Sequence, residues 1–133
     1  MIRRCTLGVF LSTALLGCAA TPSVYYPDLS QRAAAGDPNA LRSALILVET
    51  TPPGERLEDL AQISSRFVRK DPETYLRVQS EFSSCYGVNF LGSDFVDDEP
   101  ARLREIRLRR EALETVTISA LQPTRQVCLA LLR

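Results

Sequence analysis

Two Asp-Pro pairs, Asp37-Pro38 and Asp71-Pro72, stand 34 residues apart and constrain the chain more than any other feature. An N-cap aspartate accepts a hydrogen bond from a backbone N–H of the first helical turn. Proline at the next position gives up an N–H that the helix could not have paired. Each pair therefore predicts a helix start. After the first, Leu41, Ala44, Leu45 and Val48 recur at helical spacing and Ile46 and Leu47 widen the face, which predicts the most buried helix; Thr50 to Gly54, with Pro52 and Pro53, ends it. After the second, Tyr75, Leu76, Gln79 and Phe82 outline a shorter helix ending near Ser84.

The remaining chain is read the same way. Asp28 to Ala35 predicts a short helix stopped by Gly36. From about Pro53 to Lys70, Leu57, Leu60, Ala61, Ser64, Phe67 and Val68 share one stripe, while Glu55, Glu58, Asp59, Gln62, Arg66 and Arg69 face the other way. Pro100 to Leu121 predicts the longest helix, about 33 Å at a rise of ~1.5 Å per residue, with Leu103, Ile106, Leu113, Val116 and Ala120 as its stripe. Pro123 opens a last short helix whose Val127, Cys128 and Leu131 should face inward. The fold class expected is all-α, five or six helices as antiparallel helical hairpins in one domain over residues 28–133. The 34-residue interval is also the period of tetratricopeptide repeats, and Ala35-Gly36-Asp37-Pro38-Asn39-Ala40-Leu41 resembles the start of such a helical pair. The signature large residues are missing, so the resemblance implies a stack of α-hairpins as architecture and assigns no family.

Ahead of this region, Arg3 and Arg4 precede Cys5 to Leu16, twelve residues without charge, in the form of a signal peptide. That stretch is shorter than the roughly 20 apolar residues a membrane span needs. The tetrad Leu15-Leu16-Gly17-Cys18 that follows resembles the lipobox of bacterial lipoproteins. The resemblance implies cleavage before Cys18 (residues 1–17 removed), lipidation of Cys18 with three acyl chains, and a lipidated tether over 18–27. It implies a cell-envelope location. Each buried CH₂ contributes about 0.8 kcal/mol, so several chains anchor stably. Ala19 stands where an aspartate often signals inner-membrane retention, which favours the outer membrane, facing the periplasm. The alternative is cleavage after Ala20 and release as a soluble protein. Tyr25 and Tyr26 in the tether suit either the membrane interface or the surface of the domain.

Once Cys5 is removed and Cys18 acylated, Cys85 and Cys128 remain as a pair, which in an exported protein reads as a disulfide. Closing a loop of about 44 residues stabilises by roughly 4 kcal/mol in the chain-entropy model. Two buried thiols are the alternative. The chain contains neither His nor Trp, which excludes His-based triads, His general bases and His zinc sites. Losing Arg3 and Arg4 leaves 14 basic against 16 acidic side chains, so no basic excess points to nucleic acid. No cofactor is called for.

Between the helices, Cys85 to Asp97 breaks the helical pattern. Gly87 and Gly92 punctuate it, and Val88, Phe90, Leu91, Phe95 and Val96 make it apolar. Such a loop either folds over the core or displays Phe90, Leu91, Phe95 and Val96 as a recognition surface. Asp94, Asp97, Asp98 and Glu99 crowd its end, and two readings compete: Asp97 or Asp98 caps the next helix, or the cluster holds a cation, for which the spacing lacks the EF-hand pattern. Arg102, Arg104, Arg107, Arg109 and Arg110, interspersed with Glu105, Glu111 and Glu114, read as a solvated face or as a phosphate or carboxylate site. The expectation is a non-enzymatic protein-interaction module whose partner is an envelope or toxin protein. One version is an immunity protein that neutralises a toxin acting in the periplasm or on the cell wall. The rival is a carboxylate-dependent envelope hydrolase drawing on Asp94, Asp97, Asp98 and Glu99, which would need two acids facing across a cleft.

Overall fold

In the computed structural model the described residues are 26–133. The expected signal peptide, Cys18 and the expected tether up to Tyr25 lie outside them. The described chain is all-helical, with no strand among these residues. Its six helices are α1 (Tyr26–Ala34), α2 (Pro38–Val48), α3 (Glu55–Lys70), α4 (Pro72–Glu81), α5 (Glu99–Glu114) and α6 (Gln122–Leu131). No helix among the described residues is long and apolar enough to cross a membrane.

Both Asp-Pro starts form as their chemistry dictates. Asp37 accepts from Asn39 N at 2.9 Å and Asp71 from Thr74 N at 3.0 Å, each with proline in the first turn. The Arg32 guanidinium donates to Asp37 at 2.7 and 2.9 Å, tying α1 to the cap of α2 and holding the Asp37 carboxyl below the usual carboxylate range. Gly36, at φ 86°, supplies the left-handed residue that ends α1. Successive helices α1 to α4 pack on one another, and α1 also meets α3, α2 meets α4, α3 meets α5 and α4 meets α6. This is a hairpin stack wrapped around one core, with Leu41, Leu60, Phe67, Tyr75, Leu76 and Leu113 fully buried inside it.

Several boundaries and faces differ from the sequence reading. The first helix begins two residues inside the expected tether, at Tyr26, whose ring packs against the core edge with Arg56 5.9 Å above it. The third begins at Glu55, because Gly54 adopts φ 147° and closes the Pro52-Pro53 turn outside the helix. The fifth stops at Glu114, seven residues before the predicted end. Its successor residues Thr115, Val116, Thr117 and Ile118 include four β-branched side chains, which lose χ1 freedom in a helix, and Thr115 Oγ1 instead donates to Ala112 O at 2.6 Å. A 3₁₀ turn at Ser119–Leu121 then leads into α6.

Ile46, Leu103, Val127 and Leu131, all expected inside, are about half exposed, and Ala120 is exposed. Glu105 of α5 meets Arg69 in the last turn of α3, while Arg109 meets the loop seated on Ala61 and Ser64, so the two helices run antiparallel. Leu103 consequently overhangs the end of α3 at Lys70. On α6 the inward residue is Cys128, with Leu132 beyond the helix end filling the place expected for Leu131.

The cap at Asp71 has a measurable consequence. Asp71→Ala removes the acceptor for Thr74 N–H and should lower unfolding stability by about 1 kcal/mol, read as a reduced urea midpoint at unchanged m-value.

Candidate protein-interaction surface

Residues 82–98 join α4 to α5 without regular structure apart from a 3₁₀ turn at Ser93–Phe95. A buried connection must pair its backbone polar groups, and three side chains inside the helical stack do so. The Tyr86 carbonyl accepts from Ser64 Oγ at 2.6 Å, Gln79 Nε2 at 2.9 Å and Tyr75 Oη at 3.0 Å. Gln79 Oε1 in turn accepts from Tyr86 N at 3.0 Å and Ser84 Oγ at 2.6 Å. Gln79 thus offers Tyr86 the donor and acceptor that a neighbouring strand would offer. Ser64, Tyr75 and Gln79 are all fully buried. Burial drives the Tyr75 hydroxyl far above its ordinary ionisation range, and raises Tyr86 less.

A second clamp holds the next turn of the loop. Arg109 Nη1 donates to Val88 O and Phe90 O, both at 2.8 Å, and its Nε to Glu105 Oε1 at 2.9 Å; Glu105 Oε2 also accepts from Arg69 at 2.8 Å. Arg109 is only 6% exposed. The expected pair Glu105–Arg109 therefore exists, but Arg109 belongs to no solvated face. Between the clamps sits Gly87 at φ 80°, where a Cβ would lie 2.7 Å from Ala61 O and 2.8 Å from Ser64 Cβ. Only glycine allows the loop to rest this closely on α3. The staple is present as well: Cys85 and Cys128 are joined, with Cα atoms 5.3 Å apart, fastening the loop to α6.

Fixed in this way, the loop buries Val88 completely, leaves Phe90, Leu91 and Phe95 half-buried, and exposes Val96 at 76%. Phe90 forms one wall of a groove of about 390 Å³ against the start of α3, with Leu57, Ala61, Tyr86 and Pro53 as apolar wall and Glu58 and Asn89 as polar ones. Tyr86 spans its floor, its hydroxyl donating to Leu57 O at 2.7 Å. Leu91, Phe95 and Val96 do not line this groove. The four candidate recognition residues are thus split between the groove and the outer arm of the loop.

The acidic cluster separates too. Asp98 caps α5, accepting from Ala101 N at 2.9 Å, and Glu99 takes a bidentate contact from Arg102 at 2.7 Å that holds its carboxyl below the usual range. Asp94 and Asp97 remain exposed, and no group of three or more acids or cysteines among the described residues converges as metal ligands would. A depressed, exposed carboxyl such as Glu99 is unsuited to general-acid work, which needs a raised value. The residues that sequence reasoning missed are Ser64, Gln79 and Arg109 as loop clamps. For Ser64 and Gln79 the signal was a polar side chain falling on an apolar stripe; Arg109 had none that set it apart from the other arginines of α5.

Compared with protein-family models, with curated proteins and with solved structures, the chain finds no match.

Two predictions test the clamps. Arg109→Ala removes both carbonyl contacts and leaves Glu105 with Arg69 alone; it should cost about 3 kcal/mol and raise hydrogen exchange at residues 88–91 ahead of the helices. In alkaline titration followed by ultraviolet absorbance, Tyr75 and Tyr86 should ionise later than a free tyrosine does. Because the native state keeps protons there that the unfolded chain releases near pH 10, stability should fall as pH rises above about 10.

Proposed function

We propose that the protein is an envelope-anchored, non-enzymatic interaction module that presents the stapled loop and its groove to another protein. The observation that carries this reading is the investment of buried polar side chains in a loop whose outer surface stays apolar. Tyr86, Val88 and Phe90 are clamped at their backbones, yet Phe90 and Val96 keep apolar surface toward solvent. Recognition sites favour rigid scaffolds because little conformational freedom is lost on binding. The groove suits one bulky apolar side chain, and Glu58 at its edge suits a basic neighbour beside it. The proposed anchor is supported by the lipobox-like tetrad ending at Cys18, and its position at the periplasmic face of the outer membrane by Ala19 after it.

Site-specific photocrosslinking in intact cells tests the interaction. A photoreactive residue at Val96 or Asn89, both exposed, should give one discrete adduct, lost on Leu57→Glu, while the same probe at exposed Arg104 gives none. Identical adducts from all three positions, or no adduct from Val96 and Asn89, would sink the reading. For the anchor, the intact mass of membrane-extracted protein should match residues 18–133 plus acyl chains, and Cys18→Ser should abolish the acyl mass.

A further inference from the structure

A second concave surface lies between α5 and α6, about 560 Å³ in volume and lined by Arg110, Arg125, Arg133 and Glu114. We infer that it binds a phosphate group, carried as a diphosphate or a phosphodiester.

Each guanidinium is held in place through one nitrogen on a carbonyl at a helix end. Arg110 Nη2 donates to Leu129 O at 3.4 Å and to Leu132 O, Arg125 Nη1 donates to Val116 O at 2.8 Å and Glu114 O at 3.5 Å, and Arg133 Nε donates to Ala130 O at 3.0 Å. Positive side chains favour helix C-termini, so these contacts position the arginines. They leave most of each fork unused, since a guanidinium carries five N–H donors. Among the described residues none of the three makes a salt bridge, although the Glu114 carboxylate stands in the same wall. Three basic side chains therefore share the wall with one acidic side chain. Arg125 Nε is also cut off from solvent and has no acceptor among the described residues.

The geometry selects the ligand class. The forks come from Arg110 on α5, Arg125 on α6 and Arg133 just beyond the end of α6, and a phosphate, with three or four oxygens, can accept from several arginines at once where a carboxylate has only two oxygens to share. The volume exceeds one inorganic phosphate, leaving room for a second phosphoryl group or an esterified glycerol. Its lining shares no residue with the groove beside the stapled loop.

Calorimetric titration of the detergent-solubilised full chain at low salt tests this with two soluble probes: pyrophosphate for a free phosphate, and glycerophosphoglycerol for a lipid headgroup. One of them should bind saturably. Arg133→Gln should weaken that binding about tenfold through loss of a charge-assisted contact. Glu114→Gln, which removes the one acidic side chain of the lining and disturbs no helix contact, should tighten it about fivefold. Saturation by the diester alone identifies a headgroup site, and saturation by pyrophosphate alone a free-phosphate site. Absence of saturable binding by both, acetate binding as tightly, or affinities that neither variant moves would overturn the inference.

Discussion

One backbone carbonyl, that of Tyr86, receives three buried side-chain donors, and the arrangement of the rest of the molecule around it follows from that need. A 17-residue connection lying against a helical core brings N–H and C=O groups away from water, where each unpaired one costs roughly 1–3 kcal/mol. Helices cannot supply partners from their own saturated backbones. Side chains must therefore do so, and Ser64, Tyr75 and Gln79 come from two helices, α3 and α4, that are already packed on each other. The loop then closes over a core it did not create.

Arg109 solves the same problem one turn later with a charge. A buried guanidinium is tolerable only when its donors are engaged and its charge compensated. Glu105 provides the charge, and Val88 and Phe90 provide the acceptors. Glu105 is shared with Arg69, so α3, α5 and the loop meet in one network. The disulfide adds a covalent link from the same loop to α6, the helix that carries most of the arginine-lined cavity. Polar pairing and the staple together give a small all-α domain one rigid non-helical surface, which the proposed interaction uses.

What could be read beforehand, and what could not, is clearest at particular residues. Asp37 and Asp71 announced two helix starts, and a third was narrowed to Asp97 or Asp98, because capping is settled within four residues of chain. The early end of α5 was also local, written in Thr115, Val116, Thr117 and Ile118, but the apolar period running through Val116 to Ala120 concealed it. Arg109 was indistinguishable from its neighbours Arg107 and Arg110 in the sequence, since its role depends on carbonyls 19 and 21 residues away. The Glu105 spacing named its partner without revealing the burial. Likewise the two exposed large apolar residues of α6, Val127 and Leu131, share the helical period of a buried face; packing against α4 and α5 decided which side turned inward.

The sequence by itself determined the helical class and the Asp-Pro starts, because caps, turns and helical periodicity act over a few residues; it offered Cys85 and Cys128 as a pair only on the expectation that Cys5 is removed and Cys18 acylated. Only the tertiary structure decided which polar side chains serve the loop, where α5 overhangs α3, and how Arg110, Arg125 and Arg133 come to share one cavity. Those outcomes depend on helices distant in the chain meeting at fixed angles. Partner identity across such distances is a property of packing, and no short stretch of residues encodes it.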